Sequence, residues 1–338
     1  MIKEDVLKVF RKKNILVTGG TGLIGRQAVD ILCTADAHVK VVSLDNIRLN
    51  KKAEYKVADL ADFGLCKEVT KDMDFVFHLA GVGASVKAAE EKMATHLVPM
   101  LMVNTNVLEA CRVNRVPKVV FTSSVGAYSK GEVFRESEYR MESEPLDFAS
   151  WAKRMAEAQI YAYKVEHGLE NFSIVRPSNV YGPGDNFGEE GSLVIPSLIY
   201  RICNKERPLI VWGDGSAIRD FVYSRDVAEG IILALHYGTR SGFVNLGSGR
   251  PYSIKELVET LRTFLDFEYL FDASKPTGAK RRVMDISLAK ELIHYNPTTD
   301  LLEGLKKTWQ WYEKHPDEHL KKMNYFSKQN ERAHAHRF

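Results

Sequence analysis

Four glycines at positions 19, 20, 22 and 25, in the run NILVTGGTGLIG, have the spacing of a turn that wraps a phosphate. Gly19 and Gly20 permit backbone angles that a Cβ would obstruct. Gly22 lets the main chain approach a diphosphate, and Gly25 lets a following helix pack closely on the strand before it. A helix opening at Leu23 and Ile24 presents free N–H groups and the positive end of its dipole to that anion. A glycine-rich loop alone more often marks an ordinary turn, so a second signal must accompany it. Asp45 supplies one: it ends the apolar run His38–Leu44, twenty residues past Gly25, where a carboxylate can accept from both ribose hydroxyls of an adenosine. An acid there repels a 2′-phosphate, so the expected cofactor is NAD rather than NADP. Arg48 could hold the extra phosphate, but the immediate neighbours of Asp45 are Leu44 and Asn46.

Other chemistry finds little support. The four cysteines, at 33, 66, 111 and 203, have no paired metal-ligand spacing and read as free thiols, so no metal is expected. His334 and His336 sit in a polar tail from Phe326 that reads as frayed. A net charge of +3 on 338 residues carries no basic clustering that would point to nucleic acid. The opening MIKEDVLKVFRKK is charged throughout, and no apolar run approaches a membrane span, so a soluble, cytoplasmic protein is expected.

The elements that must hold this turn alternate regularly. Apolar runs at Ile15–Thr18, Val39–Leu44, Tyr55–Val57, Phe75–Leu79, Val119–Thr122 and Ser173–Arg176 are separated by longer amphipathic segments. Such alternation predicts an α/β protein with a doubly wound parallel sheet, helices on both faces. Beyond Arg176 the pattern breaks at Pro177, Pro183, Gly184, Gly188, Gly191 and Pro196, before a helix near Ser197–Asn204. This reads as the crossing into a smaller lobe, with Phe221–Tyr237 returning to the first. The expected division is residues 1–177 and 221–245 for the dinucleotide domain, 178–220 and 246–325 for the smaller lobe, and 326–338 for the tail.

The segments TGGTGLIG (18–25), ADLAD (58–62), HLAG (78–81), TSSVGAY (122–128), WAKRMAE (151–157), RPSNVYGPGDNF (176–187), WGDGSAIRDFVYSRDVAEG (212–230) and KPTGAKRRVMD (275–285) run in order through almost the whole chain. Together they resemble the extended short-chain dehydrogenase/reductase family, the nucleotide-sugar epimerases, dehydratases and reductases. The resemblance implies a Rossmann domain with a smaller α/β substrate-binding lobe, and hydride transfer at a sugar carbon, usually C4. It places Asp59 and Leu60 near the adenine, Leu79, Ala80 and Gly81 along the nicotinamide, and adds Asn46, Lys153 and Pro177 to the cofactor set. His78 reads as a packed strand-end histidine rather than a base. In the family a tyrosinate takes the hydroxyl proton, a lysine four residues on lowers that tyrosine's pKa, and a serine or threonine bonds to the same hydroxyl. Ser124 matches the serine and Lys153 the lysine.

The tyrosine is missing. Four residues before Lys153 stands Ala149, and none of the fourteen tyrosines lies four residues before a lysine; Tyr161 precedes Lys164 by three. A methyl group moves no proton, so ligand binding with poor turnover is expected, general acid–base loss costing ~10²–10⁴ in rate. Either the tyrosine was deliberately truncated or catalysis was abandoned. The first is favoured, because every other element is in place.

For the substrate, the resemblance matches Arg219 and Arg281 to arginines that hold a diphosphate, with Arg282 a weaker candidate, Asn179 beside it, and Leu193 and Val194 flanking the base. SKPTGAKRRVMD, NVYGPGDNF and the VIP of 194–196 look most similar to GDP-fucose synthase and GDP-sugar modifying relatives, which favours a GDP-sugar over a UDP-sugar. The cysteine and histidine that epimerise C3 and C5 in those synthases are replaced by Val125 and Gly184, and the Asp–Glu pair of dehydratases by Val125 and Gly126. C4 redox remains, as epimerisation or net oxidation or reduction, in a pocket expected around Ala84–Lys87 and Val125–Tyr128. Met93–Val113 and Ala149–His167 match helices through which such proteins dimerise. A dinucleotide sensor or scaffold on the same fold is the alternative.

Overall fold

The computed structural model describes residues 2–81, 91–188 and 192–322. Ala84–Lys87 of the expected pocket, and the tail with His334 and His336, lie outside these. Chain order begins with α1 (Glu4–Lys8), β1 (Asn14–Thr18), α2 (Leu23–Thr34), β2 (His38–Ser43), β3 (Glu54–Val57), α3 (Phe63–Thr70) and β4 (Phe75–His78). Next come α4 (Met93–Val113), β5 (Lys118–Thr122), β6 (Val133–Phe134), α5 (Ser150–His167), β7 (Phe172–Pro177), β8 (Asn179–Tyr181), α6 (Val194–Cys203) and β9 (Leu209–Trp212). The remainder is β10 (Ile218–Tyr223), α7 (Ser224–Tyr237), β11 (Phe243–Leu246), β12 (Pro251–Ser253), α8 (Ile254–Arg262), β13 (Tyr269–Asp272), β14 (Arg281–Met284), α9 (Ser287–Ile293) and α10 (Leu301–Lys314).

Seven strands form one sheet in the order β3-β2-β1-β4-β5-β7-β11, each neighbouring pair parallel. Alternation along β1 sends Ile15 and Val17 to one face and Leu16 to the other. The first face buries Val29 and Leu32 of α2 with Val227, Ile231 and Ile232 of α7. The second buries Val69 of α3, Leu108 of α4 and Ile160 of α5. Strands covered on both sides must be apolar throughout, which is why VVFT and FVFH have no polar interruption until their carboxyl ends. Strand order reverses at β1, between β2 and β4, and the crevice beyond the carboxyl ends of those strands is where such sheets take ligands.

The second layer is built on β12-β10-β14-β6, with β8 also on β10, and a separate pair β13-β9. Its core joins Ile195 and Leu198 of α6, Leu257 and Leu261 of α8, and Leu301 and Leu305 of α10. Helix boundaries follow capping chemistry. Ser253 Oγ accepts from Glu256 N at 3.1 Å while Glu256 takes the Ser253 N–H, and α5 stops at Gly168, whose φ of 65° suits a residue without a side chain.

Three placements differ from the sequence reading. α7 lies on the large sheet, while Phe221–Tyr223 before it pairs with β8 in the smaller one; of this strand Val222 is buried in the large sheet's core and Phe221 and Tyr223 in the smaller layer's, so the return expected at Phe221 is a shared border. Ala289 and Ile293 of α9 are buried in the first core, although they fall in the stretch assigned to the smaller lobe. α6 begins at Val194 rather than near Ser197, with Pro196 in its first turn, where the missing N–H costs no hydrogen bond and the proline does not break the chain.

Candidate active site

The glycine turn closes against the end of β4. A Cβ built on Gly19, at φ 69°, would lie 2.7 Å from Ala80 Cα, and one on Gly25 would lie 2.2 Å from Gly19 O, so neither position admits a side chain. Gly22 caps α2 without a side chain to offer. The first-turn N–H groups, at Leu23 and Ile24, therefore face outward with no side-chain acceptor of their own cap, the arrangement an external phosphate completes. Asp45 is held at the end of β2: its Oδ2 accepts from Thr21 Oγ1 at 2.7 Å, and Thr21 Oγ1 lies 2.7 Å from Ser43 Oγ. Thr21 and Ser43 escaped the sequence reading. Asn46 is exposed. Asp59 accepts from Ala61 N at 3.0 Å, and Leu60 is buried beside it.

Across the crevice, Leu79 N donates to Thr18 O and Ala80 N to Thr18 Oγ1, both at 3.2 Å, which ties this segment to the turn and leaves Gly81 exposed. His78 is sealed beneath. Its Nδ1 is 2.8 Å from Thr18 Oγ1 and its Nε2 3.1 Å from Asn104 Oδ1; burial, with the charge of Lys153, pushes it down to about 3, so it stays neutral and structural.

Ser124 stands just past β5, where its Oγ accepts from Gly126 N at 3.1 Å and caps the short turn Val125–Ala127. Lys153, one turn into α5, donates Nζ to Thr122 O at 2.7 Å and sits 5.0 Å from the Phe121 ring centroid. Its Nζ is 3.5 Å from where a Gly81 side chain would begin, so it spans the gap between β5 and the Leu79–Gly81 edge. Burial pulls Lys153 down to about 8, against the charge of Glu157. Ala149 precedes α5 and is 6% exposed, so its methyl group is enclosed next to this lysine's helix. Pro177 ends β7 opposite Leu246.

In the smaller layer Arg219 lies directly opposite Arg282 on neighbouring parallel strands, while Arg281 is opposite Ile218. Paired residues share a face, so Arg282, rather than Arg281, is the guanidinium beside Arg219. Arg219 donates to Ile218 O at 2.8 Å and Thr277 O at 3.0 Å, and burial with the Arg282 charge holds it below the usual arginine range. Arg282 keeps a buried Nε without an acceptor. Two like charges held together over an orphaned N–H suit an anion. Nearby, Ser216, Lys275, Thr277 and Lys280 line a cleft of about 340 Å³. Asn179 donates to Asp220 O at 3.1 Å. Leu193 is exposed at the start of α6, with Val194 packed on the core behind it. Gly184, at φ 80°, abuts the Arg26 guanidinium so closely that a Cβ would fall 2.0 Å from its Cζ.

Known proteins share this design. Residues 15–247 match the model of the NAD dependent epimerase/dehydratase family. The chain is 30% identical over 312 residues to GDP-L-fucose synthase 1 of Arabidopsis thaliana, covering 89% of this chain and 94% of that one. Among solved structures, a UDP-glucose 4-epimerase of Thermotoga maritima with UDP-glucose matches at a TM-score of 0.78 and 29% identity, covering 90% of this chain and 99% of its own. A UDP-N-acetylglucosamine 4-epimerase of Methanobrevibacter ruminantium, in complex with UDP-N-acetylmuramic acid, matches at 0.77 and 28%, with the same coverage. The dinucleotide turn, the acid after β2 and the lysine of α5 thus stand on a frame shared along nearly its whole length, and the chain belongs to the NAD-dependent epimerase/dehydratase family.

Proposed function

We propose that this protein binds a nucleotide-diphosphate sugar, a GDP-sugar in preference to a UDP-sugar, and acts by redox at sugar C4, with turnover depressed by Ala149. The observation that carries this reading is the pairing of Ser124 and Lys153 at the carboxyl end of β5 with an enclosed methyl group at position 149. NAD, when bound, supplies the hydride acceptor. Ser124 would hold the reacting hydroxyl through its Oγ, and Lys153, held by Thr122 O, would orient the nicotinamide ribose. Neither can replace a phenol between them. Arg219 and Arg282 would take the sugar nucleotide's diphosphate. Gly184 supports the restriction to C4, because the Arg26 guanidinium fills the space a catalytic side chain would need there.

The GDP preference rests on the resemblance of 274–285 to GDP-sugar enzymes; the UDP-sugar epimerases among the solved structures make the other base a live comparison. A homodimer is proposed through α4 and α5, where Trp151, Met155, Tyr161 and Val165 stand exposed on a helix packed against α4. No described helix is long and apolar enough to cross a membrane.

The test is Ala149→Tyr. Incubated with GDP-, UDP- and dTDP-sugars, the variant should gain ~10²–10⁴ in epimer formation or NAD reduction over the unaltered chain. Calorimetry with GDP, UDP and dTDP separates the second reading, which Ala149 itself favours. Silence from all three, with NAD bound, marks a sensor or scaffold; tight binding of one marks an enzyme frame.

A further inference from the structure

The acid that follows β2 is tied to the glycine turn by two hydroxyls. Thr21, between Gly20 and Gly22, is 1% exposed, and its Oγ1 donates to Asp45 Oδ2 at 2.7 Å. The same Oγ1 lies 2.7 Å from Ser43 Oγ, and Ser43 Oγ accepts from Asp45 N at 3.3 Å. Elimination assigns the protons. A carboxylate only accepts and a hydroxyl carries a single proton, so Thr21 gives its proton to Asp45 and Ser43 must donate to Thr21. The hydrogen bonds therefore close on themselves, from Asp45 N–H through Ser43 and Thr21 back to the Asp45 carboxylate, each polarising the next.

This circuit holds Asp45 from both ends, its backbone through Ser43 and its side chain through Thr21. Because Thr21 belongs to the turn, the carboxylate's orientation is set relative to the site where a diphosphate would rest. The surrounding chain is held by other bonds. Gly19 N donates to Val42 O at 2.8 Å, which joins the turn to β2. After Asp45, Tyr55 Oη accepts from Leu49 N at 3.2 Å and Asn50 N at 2.9 Å, and Asn50 Nδ2 donates to Asp30 of α2 at 2.7 Å. Removing the Thr21 hydroxyl thus loosens the grip on the carboxylate while the turn and the loop keep their own anchors.

We propose that Thr21 and Ser43 are positioning residues for cofactor choice: they hold the Asp45 carboxylate in the orientation that accepts from a ribose 2′-hydroxyl and repels a 2′-phosphate. The inference rests on Asp45 as the ribose acceptor. A carboxylate held less firmly must be ordered by the ligand, which weakens the first interaction, and it can turn its charge away from the second. Discrimination between NAD and NADP, more than affinity for either, is what the two hydroxyls supply.

The experiment titrates the full chain with NADH and with NADPH, followed by fluorescence, so binding and not turnover is read. It compares the unaltered protein with Thr21→Val, Thr21→Ser and Ser43→Ala. Valine keeps the shape of threonine and lacks the hydroxyl. The preference for NADH, taken as the ratio of the two dissociation constants, should fall roughly tenfold in Thr21→Val, mostly through weaker NADH. Thr21→Ser keeps the donor and should retain most of the preference; Ser43→Ala breaks the circuit from outside the turn and should lower the preference too. An unchanged ratio in Thr21→Val overturns the proposal, as does a loss in Thr21→Ser equal to that in Thr21→Val. Equal weakening of both cofactors is such an unchanged ratio and would mean general loosening of the turn. Should Thr21→Val fail to fold, the ratio in Ser43→Ala decides alone. An unaltered chain that binds NADPH as tightly as NADH overturns the assignment of Asp45 instead, a result separable from the others because no substitution is involved.

Discussion

Glu157→Ala should strand a buried cation beneath the active site. Arg176 is fully buried, and its Nε and Nη2 donate to Glu157 at 2.9 and 2.5 Å. Around it, the Phe243 ring centroid lies 3.6 Å from Cζ, and those of Tyr128 and Tyr139 4.3 Å. Breaking a buried pair from one side costs about 3–5 kcal/mol, and the aromatic cage, which survives the change, argues for the lower end. With unfolding entropy near 2.1 cal/mol/K per residue, 338 residues give roughly 0.7 kcal/mol per kelvin, so the melting temperature should fall by about 4 °C. The same change removes the negative charge that props up Lys153, whose pKa should drop further below about 8. Calorimetry gives the first number, and the pH dependence of Lys153 acylation gives the second. The double variant Glu157→Leu/Arg176→Met should recover most of the lost stability, because both charges leave together. An unchanged melting temperature in the single variant, or a double variant worse than the single, would refute the reasoning.

The other predictions concern the substrate arginines and a buried acid. Arg219→Ala and Arg282→Ala should each weaken the favoured nucleoside diphosphate by roughly tenfold or more in calorimetry, with Arg281→Ala the mildest, since only the first two share a face. An Arg281 effect equal to the others would contradict that register. Burial pushes Asp185 from the usual carboxylate range up to about 7. Between roughly pH 4 and 7 the folded chain therefore keeps a proton that the unfolded chain has lost, so stability falls as pH rises through that window. Asp185→Asn has no such proton to lose. Its melting temperature, relative to the unaltered chain, should improve from pH 4.5 to pH 8; an offset independent of pH would place the perturbation elsewhere.

What the sequence revealed and what it hid divide along one physical line. The glycine turn is legible because its constraint is local: Gly19 and Gly25 are excluded from bearing side chains by atoms of the turn itself and of the neighbouring strand end. Asp45 is legible because a strand of known length carries it to a predictable place. Ala149 is legible as an absence, since helix geometry fixes its distance from Lys153. The arginine pair was hidden: which of Arg281 and Arg282 stands beside Arg219 depends on strand register, and a shift of one residue exchanges the two faces. The border at Phe221–Tyr223 is hidden for a related reason: an apolar strand reads alike in either sheet, and this one pairs with Asn179–Tyr181 while turning Val222 into the large sheet's core. The Arg26–Glu318 contact joins residues 292 apart in sequence, and nothing in the local pattern at either end foretells the other. Yet Arg26 could only be tolerated in the turn's helix because Gly184 leaves room for its guanidinium and Glu318 neutralises it. The cofactor turn therefore depends on the far end of the chain, and a fragment ending at α10 should bind the dinucleotide less tightly than the whole protein even though it retains every glycine.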